Sequence, residues 1–178
     1  SYAAVQCGEK VANVLRLTAT GTPGHASIPI PGNAVVRLAR AVVAAAAHRD
    51  PVVVTPISQA YFAGLAEFWP DERLRGAMAD VSSGEPSRIV AGAKVLETQP
   101  RFDAMIRNGI APTMLDAGVR ANVIPAEAGA TLNVRLLPGQ SLEDLIERLR
   151  ASIADDHVQV TVGSRGDGAP PSPGDTEM

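Results

Sequence analysis

Apolar and polar residues alternate along two long stretches of this chain, and a third, shorter stretch repeats the pattern near its end. From Val11 to Thr20, Val11, Leu15, Leu17 and Ala19 fall on one side and Arg16, Thr18 and Thr20 on the other. That period of two is the signature of a half-buried strand. Ala128 to Leu137 repeats it, with Ala130, Leu132, Val134 and Leu136 pointing one way and Thr131, Asn133 and Arg135 the other. Val158, Val160 and Val162 mark a final strand, and residues 113–120 a weaker one. Two stretches carry helical spacing instead. Asn33 is placed to cap a helix from Ala34 to about His48, and Ser141-Leu142-Glu143-Asp144 has the form of a capping box opening a helix to about Ile153. The order is βα, a long middle stretch, then ββαβ. It predicts an α+β fold, a ferredoxin-like βαββαβ sandwich whose four-stranded antiparallel sheet carries two helices on one face.

The two helices differ. In the second, Leu142, Leu145, Ile146, Leu149 and Ile153 form one stripe and charged residues fill the rest, giving one buried and one wet face. The first has Val35, Leu38, Ala39 and Val42 on one side and Val36, Val43 and Ala47 on another, interrupted only by Arg37 and Arg40. A helix apolar nearly all round is buried on more than one side. Its second face is covered either by the middle stretch folding back or by a partner chain.

The middle stretch, residues 51–110, holds five of the six aromatic residues (Tyr61, Phe62, Phe68, Trp69 and Phe102) and short helical patterns at Ile57 to Phe68 and Ile89 to Glu97. It reads as a helical insertion between the first helix and the second strand. Its aromatics either staple it to the sandwich, since such side chains dominate core burial, or shape a substrate pocket or widen a subunit contact.

With 178 residues, 46% of them hydrophobic, the chain can bury one core and reads as a single domain over 1–178. A net charge of −3 argues against an electrostatic nucleic-acid binder. The single Cys7 excludes an internal disulfide. No apolar run approaches the ~20 residues that cross a bilayer, so no membrane partner is expected. Residues 1–10 lack the charged start and apolar run of a signal peptide, which leads to the expectation of a cytoplasmic protein. The absence of an initial Met and the ending on Pro170-Pro171-Ser172-Pro173-Gly174 lead to the expectation of a piece of a longer protein.

The strongest candidate for chemistry is His25, within Gly21-Thr22-Pro23-Gly24-His25-Ala26-Ser27-Ile28-Pro29. A turn rich in Gly and Pro has few backbone alternatives and can present one side chain in a fixed direction. An imidazole can move a proton near neutral pH or donate a hydrogen bond to developing charge. His48-Arg49-Asp50 has a spacing that can serve a metal, but at a helix end before Pro51 it reads as a histidine interacting with the helix dipole. His157 reads as a surface turn residue. There is no Glu-Glu pair, Cys/His cluster or Gly-x-Ser-x-Gly elbow. A zinc site needs three or four ligands, so no metal ligands are expected in this chain. Asn122, on the loop before the Ala128 strand, offers a donor and an acceptor. Arg135, pointing away from the helix-covered face, can meet a carboxylate with two hydrogen bonds. Singly, each also has a plain reading: a capping His, a turn-forming Asn, a solvated Arg.

Together and in order, Gly24-His25-Ala26-Ser27-Ile28-Pro29 with Asn33-Ala34, Ala121-Asn122-Val123-Ile124-Pro125-Ala126-Glu127-Ala128, and Asn133-Val134-Arg135-Leu136-Leu137-Pro138-Gly139 resemble the lid or dimerisation domain of the M-twenty zinc metallopeptidase family. That family includes carboxypeptidases G and S, aminoacylase, acetylornithine deacetylase and succinyl-diaminopimelate desuccinylase. The resemblance runs from about residue 9 to the C-terminus, is weakest in the insertion, and is nearest to the carboxypeptidase S branch. It implies a catalytic domain with two zinc ions, absent here, into which a ferredoxin-like lid is inserted. It implies that His25 reaches into a partner subunit's active site to bind the oxygen that becomes negative, and that Asn122 and Arg135 hold the substrate, an N-acyl amino acid or small peptide. It further implies a homodimer, through the first helix and an edge strand. The sandwich suits insertion, because its first and last strands are neighbours whose outer ends lie close. Two other readings stay open on a fold that hosts many functions: a regulatory module binding a small molecule, and a pure dimerisation domain.

Overall fold

In the computed structural model, which describes residues 6–172, β1 spans Val11–Thr20, β2 Gly24–His25 and α1 Ala34–Ala47. Helices α2 (Pro56–Ala66), α3 (Glu72–Val81), α4 (Pro86–Leu96) and the single turn α5 (Pro100–Asp103) follow. The chain then forms β3 (Gly109–Ala117), β4 (Val123–Ile124), β5 (Glu127–Leu136), α6 (Leu142–Ile153) and β6 (Val158–Ser164). The four long strands make one antiparallel sheet in the order β3-β5-β1-β6, the ferredoxin-like arrangement that the alternation predicts.

Strand β1 is central because both of its neighbours present matching apolar residues. Leu15 lies opposite Leu132 of β5 and Val162 of β6, and Leu17 opposite Ala130 and Val160. The inward side chains of β1 and β5 are buried with Leu38, Ala41 and Ala45 of α1 and Leu145 and Leu149 of α6. Both helices start where expected. Asn33 Oδ1 accepts from the Val35 amide at 2.8 Å, and Ser141 Oγ from the Asp144 amide at 3.2 Å, each satisfying a donor that a helix start leaves free.

Two details differ from the sequence reading. The buried stripe of α1 is Ala34, Leu38, Ala41 and Ala45, so Val35 and Ala39, expected on the buried side, are exposed. Small residues on that stripe let α1 approach the sheet closely, and the valines turn outward. Val36 is 45% exposed and Val43 68%, so the insertion does not cover the second apolar face. Strand β3 begins at Gly109 rather than 113, and Pro112 with the register shift before Met114 interrupts the alternation that would have announced it.

The insertion has a core of its own. Phe62, Leu65, Met78, Val81, Leu96, Phe102 and Ile106 are buried together, separate from the sandwich core. Phe102 stacks edge-on against Phe62 and Trp69, with ring centroids 5.9 and 5.3 Å apart. Four of the five aromatics therefore organise the insertion itself rather than stapling it to the sheet, and Phe68 lies outside that core, 47% exposed. The attachment is polar. Asp50, 3% exposed, accepts from Arg148 Nε of α6 at 2.7 Å, from Asn108 Nδ2 at 2.5 Å, and lies 3.2 Å from His48 Nε2. Asn108 Oδ1 in turn accepts from the Leu137 amide at 2.8 Å, and Arg107 donates to the Asp50 carbonyl at 2.7 Å. Burial alone would raise the Asp50 carboxyl, but the hydrogen bonds from Arg148, Asn108 and His48 and the charge of Arg148 outweigh it and hold it below the ordinary range. His48-Arg49-Asp50 is thus the knot that joins the end of α1, the insertion and α6.

Candidate functional site: the tip and the far end of the sheet

Beyond β1 the chain turns sharply, and glycine permits it. A Cβ on Gly21 would stand 2.1 Å from the Gly32 carbonyl oxygen and 2.6 Å from the Ala34 amide nitrogen. Gly21 donates to the Ala126 carbonyl at 2.8 Å, which anchors the start of the turn to the run-in of β5. The segment then pairs with the Asn122 loop. Gly24 faces Ile124 and His25 faces Val123 in the β2–β4 ladder, and the Ala26 amide donates to the Asn122 carbonyl at 3.0 Å. Two motifs almost a hundred residues apart are joined by backbone hydrogen bonds into one exposed tip.

The His25 side chain is exposed at this tip. Its Nδ1 lies 2.7 Å from Ser27 Oγ and 3.3 Å from the Ser27 amide, which donates to it. Asn122 is exposed beside it, as are Ile28 and Val119. Among the described residues, no hydrogen bond within the chain engages the imidazole's other nitrogen.

Arg135 is elsewhere. It lies on the face of β5 away from the helices, opposite Ala12 and Gly109, and donates through Nε to Asn133 Oδ1 at 3.2 Å. It stands eight residues along β5 from Glu127, at the tip end, a rise of about 27 Å. His25 and Asn122 are therefore brought together, and Arg135 is not brought to them within one chain. Its neighbour is Lys10, whose Nζ donates to the Arg107 carbonyl at 2.5 Å. Burial lowers the Lys10 ammonium, Asp103 opposes that, and the charge of Arg135 lowers it further. Both cations border a cleft of about 460 Å³ lined by residues 6–12, 166–170 and 172, with Glu9 and Asp167 among them. Nothing in the local pattern around Lys10 points to this role, whereas the Ser two positions after His25 is a spacing that could have been read as a contact to the ring.

On the same open face, Arg16 crosses over Gly129 to reach Asp116 on β3 at 2.6 Å. A Cβ on Gly129 would fall 2.1 Å from the guanidinium, so glycine keeps the path open.

Among the described residues no group of three or more His, Cys, Asp or Glu side chains could hold a metal ion. The Asp50 carboxylate is already saturated by Arg148, Asn108 and His48. The donor set therefore does not fit zinc. No helix among the described residues is long and apolar enough to cross a membrane.

The chain is similar in sequence and in fold to known proteins. The N-fatty-acyl-amino acid synthase/hydrolase PM20D1 of Xenopus tropicalis is 31% identical over 171 residues, which cover 96% of this chain and 32% of that protein. The probable carboxypeptidase S-like 2 of Dictyostelium discoideum is 45% identical over 69 residues, 39% of this chain and 13% of that protein. The chain spans about a third of the length of its PM20D1 relatives. Among solved structures, human carnosine dipeptidase 1 shares the fold with a TM-score of 0.54 at 10% identity, covering 93% of this chain and 38% of its own. An aminobenzoyl-glutamate utilization protein from Klebsiella pneumoniae gives 0.53 at 15% identity, covering 94% and 32%. The family model described as the peptidase dimerisation domain matches residues 7–161, and the chain belongs to that family, the dimerisation domain of the M-twenty hydrolases.

Proposed function

We propose that this chain is the lid and dimerisation domain of a zinc-dependent amidohydrolase that cleaves N-acyl amino acids or small peptides as a homodimer. The observation that carries the reading is the β2–β4 ladder, which fixes His25 beside Asn122 on an exposed tip while Arg135 stands a strand's length away. The names of the relatives, an N-fatty-acyl-amino acid synthase/hydrolase and a carboxypeptidase S-like protein, support a substrate that ends in a carboxylate.

In this reading His25 donates a hydrogen bond to the carbonyl oxygen as it gains negative charge, a contribution of about 3–4 kcal/mol for one well-placed donor. Asn122 holds the substrate at the same place. Arg135 binds the carboxylate, and an anion there offsets the repulsion between Arg135 and the half-buried Lys10. One copy cannot offer the tip and Arg135 to a single small substrate across about 27 Å. Each active site therefore takes its Arg135 from one copy and its His25 and Asn122 from the other. The two zinc ions belong to a catalytic domain outside this chain, where they supply the activated nucleophile. By itself the chain is inert. The copies meet through the exposed side of α1, with Val36 and Val43, and the edge strand β3, where Met114 is 64% and Leu115 68% exposed.

Steady-state kinetics of the full-length enzyme tests the reading. His25→Ala lowers kcat about 10²–10³-fold, whereas Arg135→Ala acts mainly through KM, as loss of ground-state binding does. Equal and small effects from both place them outside the active site and leave assembly as the domain's task.

A further inference from the structure

Histidine can use only one of its two ring nitrogens as a neutral donor, and the environment of the other decides which. At the tip that environment is Ser27. Its backbone amide points at His25 Nδ1 from 3.3 Å, and its hydroxyl lies 2.7 Å from the same atom. A backbone N–H is an obligatory donor, so the nitrogen it faces is an acceptor with its lone pair directed at Ser27. The hydroxyl, free to rotate, adds a second donor to the same lone-pair region. We infer that Ser27 is a positioning residue that holds neutral His25 as the tautomer with its proton on Nε2.

This inference rests on the proposed role of His25 and deepens it. Nε2 is the nitrogen turned away from the turn, so the tautomer that Ser27 selects is the one able to donate outward to an oxygen on a docked substrate. The opposite tautomer would set an N–H against the Ser27 N–H and present a lone pair to the oxygen that is becoming negative, which repels it. The contact also restrains the ring's orientation. Ala26 donates to the Asn122 carbonyl at 3.0 Å and Ile28 to the His25 carbonyl at 3.0 Å, so the backbone on both sides of Ser27 is already fixed. The ring is thus ordered before the tip meets any partner, and reaction does not have to bear that cost. Among the described residues no other side chain competes for Nδ1, and both hydrogen bonds of the ring are to Ser27.

The test reads the tautomer directly. The chain, labelled with ¹⁵N at its three histidines, is examined by long-range ¹H–¹⁵N correlation at about pH 8, where an imidazole is ordinarily neutral. The His25 signals are assigned by their loss in His25→Gln. Nε2 is expected to be pyrrole-like and Nδ1 pyridine-like. In Ser27→Pro, which removes both the amide and the hydroxyl, both signals move toward the average of two tautomers; Ser27→Ala, which keeps the amide donor, shifts them only in part, and Ser27→Thr restores the original pattern. A protonated Nδ1 in the unaltered chain, or a His25 pattern unchanged in Ser27→Pro, overturns the inference. Ser27 is exposed, so the backbone amide spectrum away from the tip stays constant and excludes a folding defect. In the full-length enzyme Ser27→Ala is expected to lower kcat about tenfold, the scale of one hydrogen bond, leave KM within about twofold, and recover in Ser27→Thr. Should the tautomer shift as expected while His25→Ala and Ser27→Ala both leave kcat unchanged, the catalytic reading fails and the tautomer assignment stands.

Discussion

Arg148 grips Asp50 with two hydrogen bonds, Nε to Oδ1 at 2.7 Å and Nη2 to Oδ2 at 3.1 Å, across 98 positions of sequence. The pair links α6 to the segment where the chain leaves α1 and enters the insertion. Removing one partner of a buried pair strands the other, which costs about 3–5 kcal/mol when both are fully buried. Arg148 retains contact with solvent, so Asp50→Asn is expected to lower stability by about 2–3 kcal/mol. Urea unfolding of the chain measures it.

The same pair has a pH signature. The folded Asp50 carboxyl is held below its ordinary value, and an unfolded aspartate titrates near 3.9. The unfolded state therefore takes up a proton first as pH falls, and the stabilisation is complete above about pH 4 and lost below it, as the folded carboxyl titrates. The gap between the unaltered chain and Asp50→Asn should be full at about pH 7 and should close below about pH 4. A gap constant down to about pH 2 would show that the charge on Asp50 is not what joins the elements.

Gly21→Ala places its new methyl against backbone, not against a yielding side chain. The turn must open to admit it, at a cost of about 1–3 kcal/mol. Hydrogen exchange should quicken at the Gly21 and Ala26 amides, whose acceptors are the Ala126 and Asn122 carbonyls, before it quickens in β5. Protection unchanged at both amides would show that the tip tolerates the methyl.

Separation of Arg135 from His25 makes a prediction about mixtures. In the full-length enzyme, His25→Ala and Arg135→Ala are each impaired at low substrate. Co-refolded at equal ratio, about half of the two-fold dimers are hybrids with one intact site of two. Recovery of about a quarter of the normal rate is expected. No recovery would mean that each site draws both residues from one chain.

Assembly is open to a simpler assay. Val36→Asp with Val43→Asp puts two charges on an exposed apolar face that α1 shares with the adjacent edge strand. Such a face is a natural self-pairing surface. Sedimentation is expected to show a dimer for the unaltered chain and a monomer for the double variant, with the circular dichroism of both alike.

Strands β1, β5 and β6 and helix α6 were legible in the sequence because each buries one face, so local periodicity records tertiary position. The first helix was legible in extent and not in facing, since a helix with apolar residues on every side carries no phase. The β2–β4 ladder was invisible because two residues have no period, and only the pairing of His25 with Val123 defines it. Locally the Asp50 cluster looks like a helix end and nothing more, because its partners, Asn108 and Arg148, lie 58 and 98 positions away. The aromatics of the insertion read as a staple to the sandwich or as the wall of a pocket or subunit contact, because composition cannot say whose core they build. For the site, the motifs named His25, Asn122 and Arg135, and only the fold shows which two of them are neighbours.

The Ser172 amide donates to the Cys7 carbonyl at 2.8 Å, and Gly166 lies against Ala12, so the incoming and outgoing runs travel side by side. If both runs join a catalytic domain, as proposed above, the unit would be a lever with a single fulcrum. The paired runs lie at one end of β1, and the His25 turn lies past the other end, about 33 Å away by strand rise. A swing of only about 10° at such a fulcrum would carry the imidazole through about 6 Å, roughly the difference between touching an oxygen and leaving room for a product to depart.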